Sequence, residues 1–177
     1  MKKADLTLGI GIGIILTFLG SYIHFQMTLN RDIENTKRDY IIETCELLDS
    51  RLIRSNGILQ VKNSNILLFE ERWSQYIVDV INPWNNRKYL IKKFVVSDFP
   101  EHEGSFNSIA KSLKEIHNDL VKIRQKKIAL SREKGAKHDS IKISFNYLTE
   151  NTGNKIKYIE SSINLFKKNI SREMKLY

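Results

Sequence analysis

Apolar residues fill the N-terminal part of the chain, and no charge interrupts them. Residues 6–29 contain no Asp, Glu, Lys or Arg, and this run of about 24 residues exceeds the roughly 20 that a membrane-spanning helix needs. A cleaved signal peptide is the alternative, because Lys2 and Lys3 precede the run. No Ala-x-Ala site follows, and the run continues through Ile23 and Phe25. We therefore expect a retained single transmembrane helix within residues 1–29.

This span has two different faces when it is drawn as a helix of about 100° per residue. One arc collects small and polar residues, namely Gly9, Gly13, Thr17, Gly20, Ser21, His24 and Thr28. Small residues let membrane helices approach closely, and polar side chains at membrane depth usually face protein or water. We expect this arc to form helix–helix contacts or to line a pore. The alternative is a plain anchor without such contacts.

Beyond the span, residues 30–177 show helical spacing of their apolar positions in most places. Neither Pro nor Gly occurs in residues 22–55, so we expect the span to continue as one helix to about residue 54. Asn56-Gly57 predicts a turn after it. Residues 58–61 also fit a short strand.

Further helices are predicted from residue 64 onwards. Ser64 and Asn65 are candidate caps, and Asn82-Pro83 is expected to end the helix that they start. Residues 85–99 fit a helix or two short strands, and we favour the helix. Amphipathic stripes then cover residues 101–133 and 140–174, with a break expected at Gly153. The fold class predicted for residues 30–177 is an all-α bundle of four to six helices.

The composition of the chain limits the classes of function that it can have. The chain has 29 Lys plus Arg against 20 Asp plus Glu, for a net charge of +9, which favours association with phosphates of nucleic acid or of anionic lipid. A single Cys excludes an intramolecular disulfide and a cysteine-based zinc site. No Gly-rich phosphate loop, G-x-S-x-G or HExxH occurs, so we expect no enzyme activity, cofactor or metal. The positive-inside rule is nearly balanced, with Lys2 and Lys3 before the span and Arg31, Lys37 and Arg38 after it. The single Cys fits a reducing compartment, and together with the basic charge this favours a C-terminal domain in the cytoplasm.

The basic charge is densest near the middle of the C-terminal domain. We select as a basic patch Lys122, Arg124, Lys126, Lys127, Lys134 and Lys137. A solvated helix face explains such a segment. Contact with RNA phosphates or with lipid head groups is the alternative.

One pair of residues has the spacing of a known catalytic motif. Arg132 and His138 are separated by five residues at a predicted helix junction, which resembles the R-x(4-6)-H motif of HEPN ribonucleases. The resemblance implies that His138 would activate the RNA 2′-hydroxyl and that Arg132 would stabilise the charge on the phosphorane, without a metal. Glu133 departs from the family pattern, because its charge would oppose an incoming phosphate.

The plan of the whole chain is similar to that of the small membrane accessory proteins encoded beside type VI-B CRISPR RNA-guided ribonucleases. The shared features are one N-terminal span, an all-α HEPN-like domain with a divergent Arg/His motif, and the total length. The resemblance implies an octameric ring in the bacterial inner membrane whose N-terminal helices line a pore. It also implies that the protein strengthens antiphage defence by the RNA-guided ribonuclease and depolarises the membrane, with the HEPN-like fold serving assembly.

Two other functions fit the same residues. The first is a membrane-anchored HEPN-type ribonuclease or toxin that acts as a dimer, because one Arg/His pair per chain requires two protomers for a composite site. The second is a non-catalytic membrane anchor that holds an RNA or protein partner.

Overall fold

The structure is a computed structural model that describes the backbone of residues 2–174 and the side chains of residues 17–174. Within these residues it is helical without strands, which confirms the all-α prediction. The chain divides between Tyr40 and Ile41 into an N-terminal and a C-terminal unit.

Five α-helices make up the described chain, together with two short helical segments. Their bounds are α1 Lys2–Gln60, α2 Ile66–Tyr76, a π-helical segment Ile77–Ile81, α3 Asn82–Asp98, a 3₁₀ turn Pro100–His102, α4 Glu103–Leu130 and α5 Ala136–Glu173. The α2 helix, the π segment and α3 follow one another without a break.

The N-terminal unit is the first part of α1. Two of its threonines bond to their own helix, since the Thr28 hydroxyl donates to the His24 carbonyl at 3.0 Å and that of Thr36 to the Asp32 carbonyl at 2.8 Å. No helix in the described residues has both the length and the apolar character to cross a membrane. Residues 6–16 of the predicted span lie outside the described side chains.

The core of the C-terminal unit is formed by the apolar stripes that helical spacing predicts. In α4 the buried positions include Ile109, Leu113, Ile116, Leu120 and Ile123, and in α5 they include Ile156, Ile159, Ile163, Phe166 and Ile170. Residues three and four positions apart share one face of a helix, so each stripe is continuous. The two long helices thus pack along most of their length.

Two predicted helix breaks are wrong, and so is the short strand at residues 58–61. The α1 helix runs through Asn56-Gly57 to Gln60, and Ile58 and Leu59 are buried in its last turns. Gly153 lies inside α5, where an added Cβ would stand 3.7 Å from Leu59 Cδ1. Burial of these apolar side chains offsets the cost of a helical Gly, which is about 1 kcal/mol relative to Ala.

The start of α2 is predicted correctly, but its predicted end is wrong. Asn65 caps α2, because its side chain accepts a hydrogen bond from the Leu68 N–H at 2.9 Å. The helical path then continues through Pro83, which lies in the first turn of α3. A proline lacks an N–H and clashes with the carbonyl of the preceding turn. The π segment just before it places the Asn82 N–H on the Ile77 carbonyl, and the first turn of a helix tolerates a proline.

Gly135 turns the chain from α4 into α5. Its backbone has φ 67° and ψ −152°, a combination that is almost confined to glycine because a Cβ clashes there. Gly57, in contrast, has no atom within 4 Å of an added Cβ and lies within α1.

These two glycines predict opposite effects of the same substitution. We expect Gly135→Ala to lower the free energy of unfolding by about 1–3 kcal/mol through backbone strain. Gly57→Ala should raise it by about 0.5–1 kcal/mol through helix propensity. Urea denaturation of the full chain in detergent, followed by circular dichroism, measures both. Equal effects of the two substitutions would contradict the assigned backbone conformations.

Candidate functional site

The structure separates the environments of the predicted catalytic pair. Arg132 is exposed in the turn after α4, whereas His138 lies in the first turn of α5 with Nδ1 3.4 Å from Asp139 Oδ1. A cavity of about 400 Å³ is lined by His138 and Lys127 but not by Arg132. Glu133, the departure from the motif, pairs with the Lys137 ammonium at 2.7 Å. Arg132 therefore does not contribute to the cavity that His138 borders.

Most of the basic patch has intrachain partners. The guanidinium of Arg124 donates to both carboxylate oxygens of Glu70 at 2.6–3.0 Å and lies 5.4 Å above the Trp73 ring. Lys127 Nζ donates to the carbonyls of Lys62 and Ser64 at 2.8 and 2.6 Å. Lys122 lies 3.9 Å from Asp119, and Lys137 pairs with Glu133. Of the six residues, Lys126 and Lys134 form neither an ion pair nor a side-chain hydrogen bond within the described part of the chain.

The small and polar arc of α1 is described in part. Thr17, Gly20, Ser21, His24 and Thr28 are all exposed, whereas Gly9 and Gly13 lie outside the described side chains. No atom lies within 4 Å of a Cβ added at Gly20. Within the described residues, this arc is therefore open along its length.

A buried arginine, which the sequence analysis did not select, lies in the C-terminal unit. Arg51 of α1 is only 4% exposed. Its Nη2 donates to the Leu113 carbonyl at 3.0 Å, and its guanidinium carbon lies 4.7 Å above the Trp84 ring. Nε and Nη1 have no hydrogen-bond partner among the described residues. Burial of this charge lowers the pKa of Arg51, and the nearby hydroxyl of Tyr76 opposes that shift without bonding to Nε or Nη1.

Two titratable side chains adjoin this arginine. The Tyr76 hydroxyl lies 3.2 Å from His117 Nδ1, and the imidazole stacks on Trp73 with 6.3 Å between ring centroids. Burial raises the pKa of Tyr76. Burial, and then the charge of Arg51, lowers the pKa of His117. Tyr76 therefore stays protonated and can donate to the Nδ1 of a neutral His117.

Arg51 and His117 border a cavity of about 430 Å³ with a basic lining. Its cationic and titratable members are Arg51, Lys88, Lys92, Lys114 and His117, its rings are Trp84, Tyr89 and Phe106, and its amides are Asn85, Asn107 and Asn118. Neither Asp nor Glu lines it in the described chain. A basic cavity with aromatic walls has the chemistry to hold an anion that carries an apolar group.

Comparison of the chain with family models, curated proteins and solved structures found no match.

One signal in the sequence points to this cavity. Arg51 follows Leu48 by three positions and precedes Ser55 by four, so it shares the buried face of α1 with them. An arginine at a core position of an amphipathic helix is rarely fully buried without a partner. His117 carries a similar signal, because it borders the apolar stripe of α4.

One other cluster has the composition of a metal site. Ligand atoms of Glu101, His102 and Glu173 lie within 4.8 Å of one another. His102 Nε2 is 2.6 Å from Glu173 Oε1, and this bond by itself accounts for the position of the two side chains.

The burial of Arg51 predicts a small effect on stability when its charge is removed. We expect Arg51→Met to leave the free energy of unfolding unchanged or to raise it by up to about 2 kcal/mol, because burying an unpaired charge is costly and Met has a similar length. Arg124→Met breaks the half-exposed pair with Glu70 and should cost about 0.5–1 kcal/mol. Denaturation of both variants measures the difference. A loss of more than about 2 kcal/mol in Arg51→Met would show that Arg51 is chiefly structural.

The environment of His117 predicts a dependence of stability on pH. Its pKa in the folded chain lies below its ordinary value of 6.5. At a pH between the folded and the unfolded pKa of His117, the unfolded chain binds more protons than the folded chain does. Stability therefore rises with pH through this window and falls as the pH drops below about 6.5. His117→Asn should lose less stability than the wild type between pH 7 and about pH 5. Thermal midpoints across this range test the prediction, and parallel profiles would contradict it.

Proposed function

We propose that this protein is a single-span inner-membrane protein that self-associates through α1 and forms a pore. In this proposal its cytoplasmic helical domain assists antiphage defence by an RNA-guided CRISPR ribonuclease, as the resemblance in plan implies. The pore depolarises the membrane, and the protein itself is not an enzyme.

One observation gives the strongest support for membrane insertion of α1. The described part of the uncharged run exposes large apolar side chains, including Phe18 at 74%, Met27 at 67%, and Tyr22 and Phe25 at 61% each. Scattered apolar residues are normal on a protein surface, but a contiguous patch marks contact with a membrane or another protein. The adjoining residues 6–16 are also uncharged, which extends the run to the length of a span.

The small and polar arc supports the self-association part. Lipid gives membrane helices no hydrophobic reason to associate, so they rely on close packing of small residues and on interhelical hydrogen bonds. Gly20 leaves space for a neighbouring helix, and the hydroxyls and imidazole of the arc supply polar groups for contacts or for a wet lumen. A ring of such helices turns this arc inward and the apolar face towards lipid.

The helical domain has a structural or regulatory role in this proposal. Arg132 does not line the cavity that His138 borders, and Glu133 adds a negative charge beside the arginine. The basic patch is largely occupied with intrachain partners. These features support assembly over RNA cleavage as the task of the domain.

The two faces of α1 predict different effects of substitution. Gly20→Leu places a large side chain in the proposed contact and should abolish depolarisation of bacteria that express the protein, as reported by a potential-sensitive dye. Phe25→Leu keeps the lipid-facing surface apolar and should retain depolarisation. Membrane fractionation shows that both variants insert. A Gly20→Leu protein that depolarises the membrane as strongly as the wild type does would contradict the proposed arrangement of the helices.

The proposal also predicts that the HEPN-like pair is dispensable for the pore. A double variant, Arg132→Ala with His138→Ala, should depolarise membranes to within about twofold of the wild type, because surface substitutions have small effects. Cleavage of a labelled RNA by the purified wild type and double variant is measured in parallel. If the wild type cleaves RNA and the double variant loses both RNA cleavage and depolarisation, the result contradicts the pore and favours the membrane-anchored ribonuclease.

A further inference from the structure

The guanidinium of Arg51 lacks compensation for its burial. Taking such a charge out of water costs several kcal/mol unless hydrogen bonds and an opposite charge offset the loss. Arg51 donates a hydrogen bond to the Leu113 carbonyl, contacts the Trp84 ring and lies beside the Tyr76 hydroxyl, which raises its pKa. Its Nε and Nη1 have no hydrogen-bond partner within the described residues, and no carboxylate contributes to its environment there. The missing compensation is what an anionic ligand would supply.

The cavity beside Arg51 has the charge to hold such an anion. Lys88 and Lys92 of α3 and Lys114 of α4 line it, and Lys88 and Lys92 are exposed. The neutral imidazole of His117 retains one N–H that can donate. Within the described chain no acidic side chain borders this space to neutralise the cations. Arginine is also the residue whose planar fork best matches the oxygens of a phosphate.

The rest of the lining favours a ligand with a planar ring. Tyr89 is 73% exposed and is the ring that a ligand in the cavity can reach, whereas Trp84 and Phe106, which also line it, are only 5% and 2% exposed. Aromatic side chains of this kind stack on nucleobases. The amides of Asn85 and Asn118 also line the space, and an amide both donates and accepts hydrogen bonds, as a base edge requires. The volume of about 430 Å³ falls in the range of small-molecule sites.

We propose that this cavity binds a nucleotide, with a phosphate group at Arg51 and the base against Tyr89. The ligand's charge compensates the buried guanidinium, and the lysines hold the remaining phosphate oxygens. The site lies wholly in the C-terminal unit, so the inference does not depend on the membrane function.

Titration of the full-length protein in detergent tests the site. AMP, ATP and inorganic phosphate are titrated separately by isothermal calorimetry, with short-chain phosphatidic acid as a source of lipid phosphate. We expect saturable binding of AMP or ATP that is tighter than that of inorganic phosphate or phosphatidic acid. Binding of inorganic phosphate or phosphatidic acid alone, or no binding by any of the four, overturns the nucleotide site.

Matched variants locate the binding. Arg51→Met should weaken the affinity for the nucleotide at least about tenfold, since a charge-assisted bond is lost. Arg124→Met removes the same charge outside the cavity and should leave the affinity within about twofold. The double variant Lys88→Gln with Lys92→Gln changes only exposed side chains, so it tests the site even if Arg51→Met fails to fold. Equal affinities in the wild type and in the lysine variant would place the nucleotide elsewhere.

Discussion

Apolar helix surface that meets water costs about 25 cal/mol per Å², and this constraint acts differently on the two units of the chain. In the C-terminal unit, the stripes of α4 and α5 are buried with Leu48, Phe69 and Ile58 in one core. In the N-terminal unit the large apolar side chains after residue 17 are exposed. The first arrangement stabilises a helical bundle. The exposed apolar surface of the N-terminal unit is stable only when lipid or further copies of the chain cover it. This requirement is the physical basis of the proposed function.

The core of the bundle includes one polar feature that packing does not require. Arg51 occupies a buried position on α1, where a leucine or methionine would pack without a desolvated charge. Its neighbours have shifted pKa values because they share the same desolvated environment, as Tyr76 and His117 show. Such a constellation is typical of a binding site, since functional groups are often kept at the expense of stability. The cavity beside it makes this interpretation specific to an anion.

Helical periodicity predicted most of this fold, because it reports which face of each helix is buried. The stripe from Ile109 to Ile123 and the cap at Asn65 are both found in the structure. The errors came from local signals for breaks. Gly153 was expected to interrupt a helix, and Pro83 was expected to end one. Both signals concern short-range backbone preference, which tertiary packing and the π segment override.

The candidate cavity was harder to predict than the helices. Its lining comes from α1, α3 and α4 together with Ile81 of the π segment, and only the packing of these elements brings Arg51, Lys88 and His117 to one space. The Arg132 and His138 pair, in contrast, is visible in the sequence because the two residues are close together and the motif allows several spacings. Short motifs identify residues that are near in sequence, whereas this cavity depends on residues that are near only in the fold.

The mass of the assembled protein tests directly whether the N-terminal helices self-associate. The full-length protein is purified in detergent, and light scattering with correction for the micelle gives the absolute mass of the protein component. We expect a closed assembly of several protomers, and the resemblance implies eight. A monomer or a dimer would contradict the pore and would favour an anchor or a dimeric ribonuclease.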